Sequence, residues 1–176
     1  MTRPQLTALS VAYRCAGVAD FAATRAVVVD AFGDEGAATA EYLDALRAEG
    51  CILGEWLAED PTGPIAHVVF SRVWMEDGTG SRQPAAMLTP LAVRVDRQRI
   101  RIGTQLVEHA LRALEAQGET VFFVLGHPDF YPRVGFLAAH VADINGPWRG
   151  DSAFMARARA PINGRLVMPM VIADAH

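Results

Sequence analysis

A mixed α/β domain, with helices laid on one central sheet, is the fold class this sequence predicts. Three observations carry it. Residues 88–136 read as an unbroken strand, turn, helix and strand followed by a short aromatic segment. Residues 51–59 and 65–74 read as two apolar strands joined by the turn cluster Asp60-Pro61-Thr62-Gly63-Pro64. Ahead of them stand two stretches with helical spacing. At 176 residues, 51% of them hydrophobic, the chain suffices for one well-buried core and is too short for two ordinary ones. A single domain over residues 1–176 follows, divided into 1–87, 88–136 and 137–176.

Weak alternation around Leu9, Val11 and Tyr13 predicts a first strand within residues 1–19. Asp20 is placed to cap a helix over 21–32, which Gly33 breaks. A second helix over 38–48 rests on Tyr42, Leu43, Ala45 and Leu46 and stops at Gly50. The connecting loop Gly33-Asp34-Glu35-Gly36 is acidic and reads either as a solvated turn or as a lure for an amine. Along 65–74, His67, Val69, Ser71 and Val73 share one face, opposite Val68, Phe70, Arg72 and Trp74. His67 is a candidate proton acceptor, since an unperturbed imidazole titrates near pH 6.5, and equally a hydrogen-bonded histidine in a sheet. Glu55 and an ordered water are the other candidates for that role.

Residues 76–82 form a polar hairpin connection, and 85–95 the next strand. Pro90 within it cannot donate to a ladder, so the strand must bend, bulge or stand unpaired there. The strand ends in Arg94, Arg97, Arg99 and Arg101 and passes directly into a helix. Helix starts carry unpaired N–H groups and the positive end of the helix dipole, which makes this junction a place to hold phosphate. Gly103 lets the backbone approach a ligand closely. Beyond it Leu106, Val107, Ala110, Leu111 and Leu114 fall on one face with Ile102, and the helix should end near Gly118. The uncharged run 120–125 suits a buried strand, joined to the previous one by a right-handed parallel crossover. Two further strands are expected over 153–158 and 165–171, after the Pro161-Ile162-Asn163-Gly164 turn.

At this junction the chain resembles the GNAT superfamily of N-acetyltransferases, in its bacterial YhbS-like branch. That family binds acyl-coenzyme A at a join written Gln/Arg-x-x-Gly-x-Gly/Ala. Here Gln98-Arg99-Ile100-Arg101-Ile102-Gly103 keeps Gln98 and Gly103 but has Arg101 in place of the first glycine. A second signature, Tyr-x-x-x-Gly-Phe, is complete as Tyr131-Pro132-Arg133-Val134-Gly135-Phe136. The resemblance implies a mostly antiparallel mixed sheet of about seven strands, splayed between the fourth and fifth and flanked by about four helices. It implies an acceptor region within 1–87 and an acyl-CoA-binding core within 88–136. It further implies that backbone groups beside Leu91, Ala92 and Val93 meet the pantetheine arm. Gln98, Arg99, Ile100, Arg101, Ile102, Gly103 and Thr104 are then expected around the phosphates. Phe130 is expected near the cofactor or as packing, and Tyr131 as the acid that protonates the departing thiolate. The implied reaction is transfer of an acetyl group from acetyl-CoA to a primary amine of a small molecule or protein, with coenzyme A as co-substrate and no metal.

Where φ is positive, Arg101 costs about 1 kcal/mol; where it is negative, the guanidinium can reach a phosphate oxygen. That substitution keeps a second reading open, a degenerate acyl-CoA-binding sensor or interaction module without turnover. A third reading, a nucleotide-binding protein, lacks both Gly-x-x-x-x-Gly-Lys-Ser/Thr and Gly-x-Gly-x-x-Gly. The formal charge of -4 argues against nucleic acid as partner. All sixteen basic residues other than histidine are arginine, which excludes lysine nucleophiles. Cys15 and Cys51 lack metal or CxxC spacing and read as thiols in a reducing compartment. No apolar run approaches the roughly 20 residues that cross a bilayer, and the expected location is the cytoplasm. The apolar final strands are compatible with a homodimer.

Overall fold

The structure is a computed structural model that describes residues 10–174. One sheet of eight strands organises it, and β3 (Gly63–Glu76) is its spine. β2 (Ile52–Asp60) pairs antiparallel with one edge of β3 and with β1 (Ala12–Cys15) beyond it. On the other edge β3 pairs antiparallel with β4 (Arg82–Val93), which meets β5 (Phe122–Leu125) in parallel, the expected crossover. β7 (Phe154–Arg157) closes the far side against β5, while β8 (Asn163–Val167) joins the end of β3 and carries β6 (Asp143–Asn145). Leu9, one basis for the expected first strand, lies outside the described residues.

Alternation along β3 sends its side chains into different layers. Val68 and Phe70 pack beneath α3 (Ile102–Ala116) with Leu106, Leu111 and Phe122, all essentially inaccessible. Val69 faces the opposite layer, formed by α1 (Phe21–Phe32) and α2 (Gly36–Ala48) through Val28 and Leu43. Val73 enters a third cluster with Phe123, Phe154 and Leu166. Each such side chain contributes roughly 1.5–3 kcal/mol of transfer free energy, so a sheet covered on both faces is the stable arrangement.

The sheet has eight strands where about seven were expected; residues 143–145 pair with β8 over a length too short to show alternation. Two expectations need correction. The last strand ends at Val167, and after Pro169 the chain turns into α4 (Met170–Ala173), since a proline cannot extend the ladder. Asp20 does not cap α1. Its carboxylate accepts from the Gly17 N–H at 2.8 Å and pairs with Arg14 at 2.8 Å, fixing the short turn before that helix. No helix among the described residues is long and apolar enough to cross a membrane.

Candidate functional site

Pro90 breaks the sheet where a ligand could enter. Val68 faces Leu91 and Phe70 faces Leu88, so Thr89 and Pro90 together oppose the single residue Val69, which is a bulge in β4. On its other side β4 keeps β5 only at Ala86 and Met87, and beyond them the two strands part. Arg94 N–H donates to the Ile65 carbonyl on β3 at 2.9 Å. Alternation therefore turns the N–H groups of Leu91 and Val93 away from β3, toward the gap. The Val93 carbonyl lies on that open side too, where it accepts from Gln98 Nε2 at 3.0 Å.

The gap leads into a cavity of about 770 Å³, large enough for a small-molecule ligand. Its walls come from β4 at Thr89, Pro90 and Leu91, from the end of β5 at Leu125 and Gly126, and from the α1–α2 region and α4. Tyr131 stands at this wall with only 7% of its surface exposed. Its ring packs edge-on against Phe130 at 4.9 Å and Phe136 at 5.7 Å between centroids. A Cβ on Gly126 would lie 2.3 Å from Tyr131 Cε2, so the glycine is what admits the phenol. The hydroxyl has no hydrogen-bond partner among the described residues, and burial pushes its pKa above the ordinary value of 10.0.

The arginine cluster divides in two. Arg94 pairs with Asp96 at 2.9 Å, and Arg97 with Asp60 at 3.0 Å and Asp96 at 2.6 Å, so both hold the turn together. Arg99 and Arg101 are exposed without an ion-pair partner among the described residues, at φ +64° and +71°. The φ of Arg101 is thus positive, the strained alternative, at a cost of about 1 kcal/mol. No side chain caps α3, and the first N–H seen to bond back along it is that of Gln105, to the Arg101 carbonyl at 3.0 Å. The backbone donors of Ile102, Gly103 and Thr104 have no partner within the helix, and two guanidinium groups unpaired among the described residues stand beside them.

Gly103 has a tighter duty than approach to a ligand: a Cβ there would meet Val93 Cγ2 at 3.2 Å and Phe130 Cζ at 3.7 Å. It lets α3 begin against the end of β4. Ile102 and Ala92 are buried in the core, so only their backbones can face a ligand, whereas the Ile100 side chain is 53% exposed. Phe130 packs on Tyr131 and on the α3 cluster. Gln98 is committed to Val93.

His67 is not in this cavity. It is fully buried, and its Nε2 lies 2.8 Å from Glu55 Oε2, whose carboxylate also receives Arg47 at 2.7 and 3.0 Å. Its Nδ1 is buried without a hydrogen-bond partner among the described residues. The sheet-bound histidine is the reading the geometry supports, because Leu57 and Ala92 flank it in the ladder while α1 and α2 cover that face. Glu55 is likewise turned inward. Among the described residues no cluster of His, Cys, Asp or Glu is arranged to hold a metal. Sequence reasoning had no means of finding Phe32, Tyr42, Val171 or Asp174 in the wall, since they converge from separate elements and share no motif.

The profile of the Acetyltransferase (GNAT) family matches residues 20–137. The uncharacterized N-acetyltransferase YjhQ of Escherichia coli (strain K12) is 33% identical over 72 residues, which are 41% of this chain and 39% of that protein. The match thus spans about two fifths of that relative's length. Among solved structures, the GNAT family N-acetyltransferase YhbS from Escherichia coli in complex with CoA superposes with a TM-score of 0.81 and 26% identity, covering 94% of this chain and 93% of that one. A GNAT family acetyltransferase from Brucella melitensis in complex with acetyl-CoA, at 24% identity, shares the fold with a TM-score of 0.75 over 93% of this chain and 98% of its own.

Proposed function

The chain belongs to the acetyltransferase (GNAT) family, and from that premise we propose that it transfers an acetyl group from acetyl-CoA to a primary amine by direct attack. The observation that carries this reading is the joining of two features at one break in the sheet. An uncapped helix start beside two unpaired arginines supplies anion binding, and a buried, unpartnered phenol faces the cavity on the same break. Acetyl-CoA supplies an activated thioester carbonyl. The N–H groups of Ile102, Gly103 and Thr104 bind its pyrophosphate, with Arg99 and Arg101 adding charge. Leu91 and Val93 lie where their N–H groups can hold the pantetheine arm and the oxygen that becomes negative as nitrogen attacks. Tyr131 gives its proton to sulfur as the carbon–sulfur bond breaks, and regains one from the nitrogen as the amide forms. Glu55 and His67 take no part in this scheme. Water at the open mouth accepts the proton that an incoming ammonium must first lose.

Thermal denaturation tests the cofactor assignment. At about 100 times its dissociation constant, acetyl-CoA adds roughly 2.7 kcal/mol of stability, while ATP and NAD at equal concentration add far less. Replacing Arg99 with Ala and Arg101 with Gly together weakens acetyl-CoA binding by about tenfold, and the salt dependence of binding flattens. Arg101→Gly alone raises the melting temperature of the free protein, because it relieves a left-handed arginine. An unchanged acetyl-CoA affinity in the double variant would remove the phosphate role of the two arginines. Binding without turnover, the reading that Arg101 favours, is separated by thiol release over a panel of amines: steady release establishes the transferase.

A further inference from the structure

Glu35 and Asp174 are the carboxylates in the wall of the cavity, and among the described residues that wall contains no arginine. They reach it from unrelated parts of the chain, Glu35 from the turn between α1 and α2 and Asp174 from the end of α4. Both are exposed, and neither carboxylate has an ion-pair partner among the described residues. His127, past the end of β5, is the remaining wall residue able to carry positive charge. Inside this rim the surface is largely apolar, contributed by Phe32, Met87, Leu88, Leu91 and Val171. At the wall stands Tyr131, 7% exposed, whose hydroxyl has no hydrogen-bond partner among the described residues and is open to a ligand in the cavity.

We propose that the acceptor is a small cationic amine with an apolar body and no carboxylate, drawn in by Glu35 and Asp174. This deepens the acetyltransferase reading and rests on it. Two unpaired carboxylates at a concave mouth raise the local concentration of a cation and repel an anion. An α-amino acid of the same body brings a carboxylate that meets two like charges and no arginine. A simple amine brings only the charge the rim favours, and its apolar part displaces water from the inner wall. The acidic turn at Asp34 and Glu35 is thereby resolved into one residue at the cavity and one outside its wall.

Matched probes test this by calorimetry with CoA bound: 2-phenylethylamine, phenylalanine and phenylalanine methyl ester. The amine and the ester are expected to bind at least tenfold more tightly than phenylalanine. In the Glu35→Gln, Asp174→Asn double variant the amine loses about tenfold in affinity, while phenylalanine is unaffected or gains. The melting shift produced by acetyl-CoA is read in parallel on both proteins. If that shift is present in both while phenylalanine binds as well as the amine, or while the variant binds the amine undiminished, the acceptor assignment is overturned and the transferase reading stands. Failure of all three probes to bind overturns it as well. Loss of the acetyl-CoA shift in the wild type counts against the transferase reading instead.

Discussion

Tyr131→Phe lowers kcat about 100-fold and leaves the melting temperature and the acetyl-CoA affinity close to those of the wild type. The size follows from the usual worth of a positioned proton donor. The selectivity follows from the structure, in which the ring packs on Phe130 and Phe136 but the hydroxyl bonds to nothing among the described residues. Phenylalanine keeps that packing and removes only the proton. Burial holds the phenol above its ordinary pKa of 10.0, so Tyr131 stays protonated through neutral and moderately alkaline solution. A kcat profile from pH 6 to 9 should therefore contain no limb that vanishes in Tyr131→Phe. Gly126→Ala is the companion variant, since its methyl would stand 2.3 Å from the tyrosine ring and must displace it. It is expected to lower kcat while every catalytic atom remains present. Wild-type turnover in Tyr131→Phe would end the assignment, and equal losses of kcat and melting temperature would recast the residue as structural.

How much of this was legible in the sequence depends on how local each signal is. The face of α3 and its start at Ile102 are written in consecutive residues, and the helix forms where the 3.6-residue spacing puts it, whereas the packing of Gly103 against Val93 is visible only in the folded chain. Pro90 announced a break in pairing, and the bulge at Thr89 and Pro90 sits there because no N–H is available to continue the ladder. Tyr131 was visible through its spacing from Gly135 and Phe136. By contrast, the side on which His67 finds its partner depends on how α1 and α2 cover β3, and alternation alone reports only that it shares a face with Val69. The division of the four arginines depends on Asp60, distant in sequence from Arg97 and brought to it by the β2–β3 turn. Asp174 enters the cavity wall through α4, a four-residue helix in a stretch whose apolar composition reads as strand.

Glu55→Gln costs about 3 kcal/mol of stability at neutral pH, the largest loss expected from a single polar substitution in this chain. Glu55 and Arg47 have side chains only 7% and 10% exposed and meet through two hydrogen bonds of 2.7 and 3.0 Å. The same carboxylate holds His67 Nε2 at 2.8 Å. Arg47 in turn reaches Thr24 Oγ1 on α1 at 3.0 Å and lies 3.9 Å above the ring of Phe21. One carboxylate on β2 therefore ties both early helices to the sheet beneath them. Glutamine fills the space but cannot answer a buried guanidinium, and removing one partner of a buried pair typically costs about 3–5 kcal/mol. The pH dependence has a definite sign. Burial opposes ionisation of Glu55, but hydrogen bonds from His67 and Arg47 outweigh it and lower its pKa from 4.5 to about 2. A depressed carboxylate stabilises the fold fully above its unfolded pKa and progressively less as pH falls toward the folded one. Urea unfolding should show the difference between wild type and Glu55→Gln in full at pH 7 and reduced to about half at pH 3. A difference that stays constant across that window would mean that Glu55 contributes through shape and not through charge, and the tie between helices and sheet would have to be sought in the packing of Val28 and Leu43 on Val69.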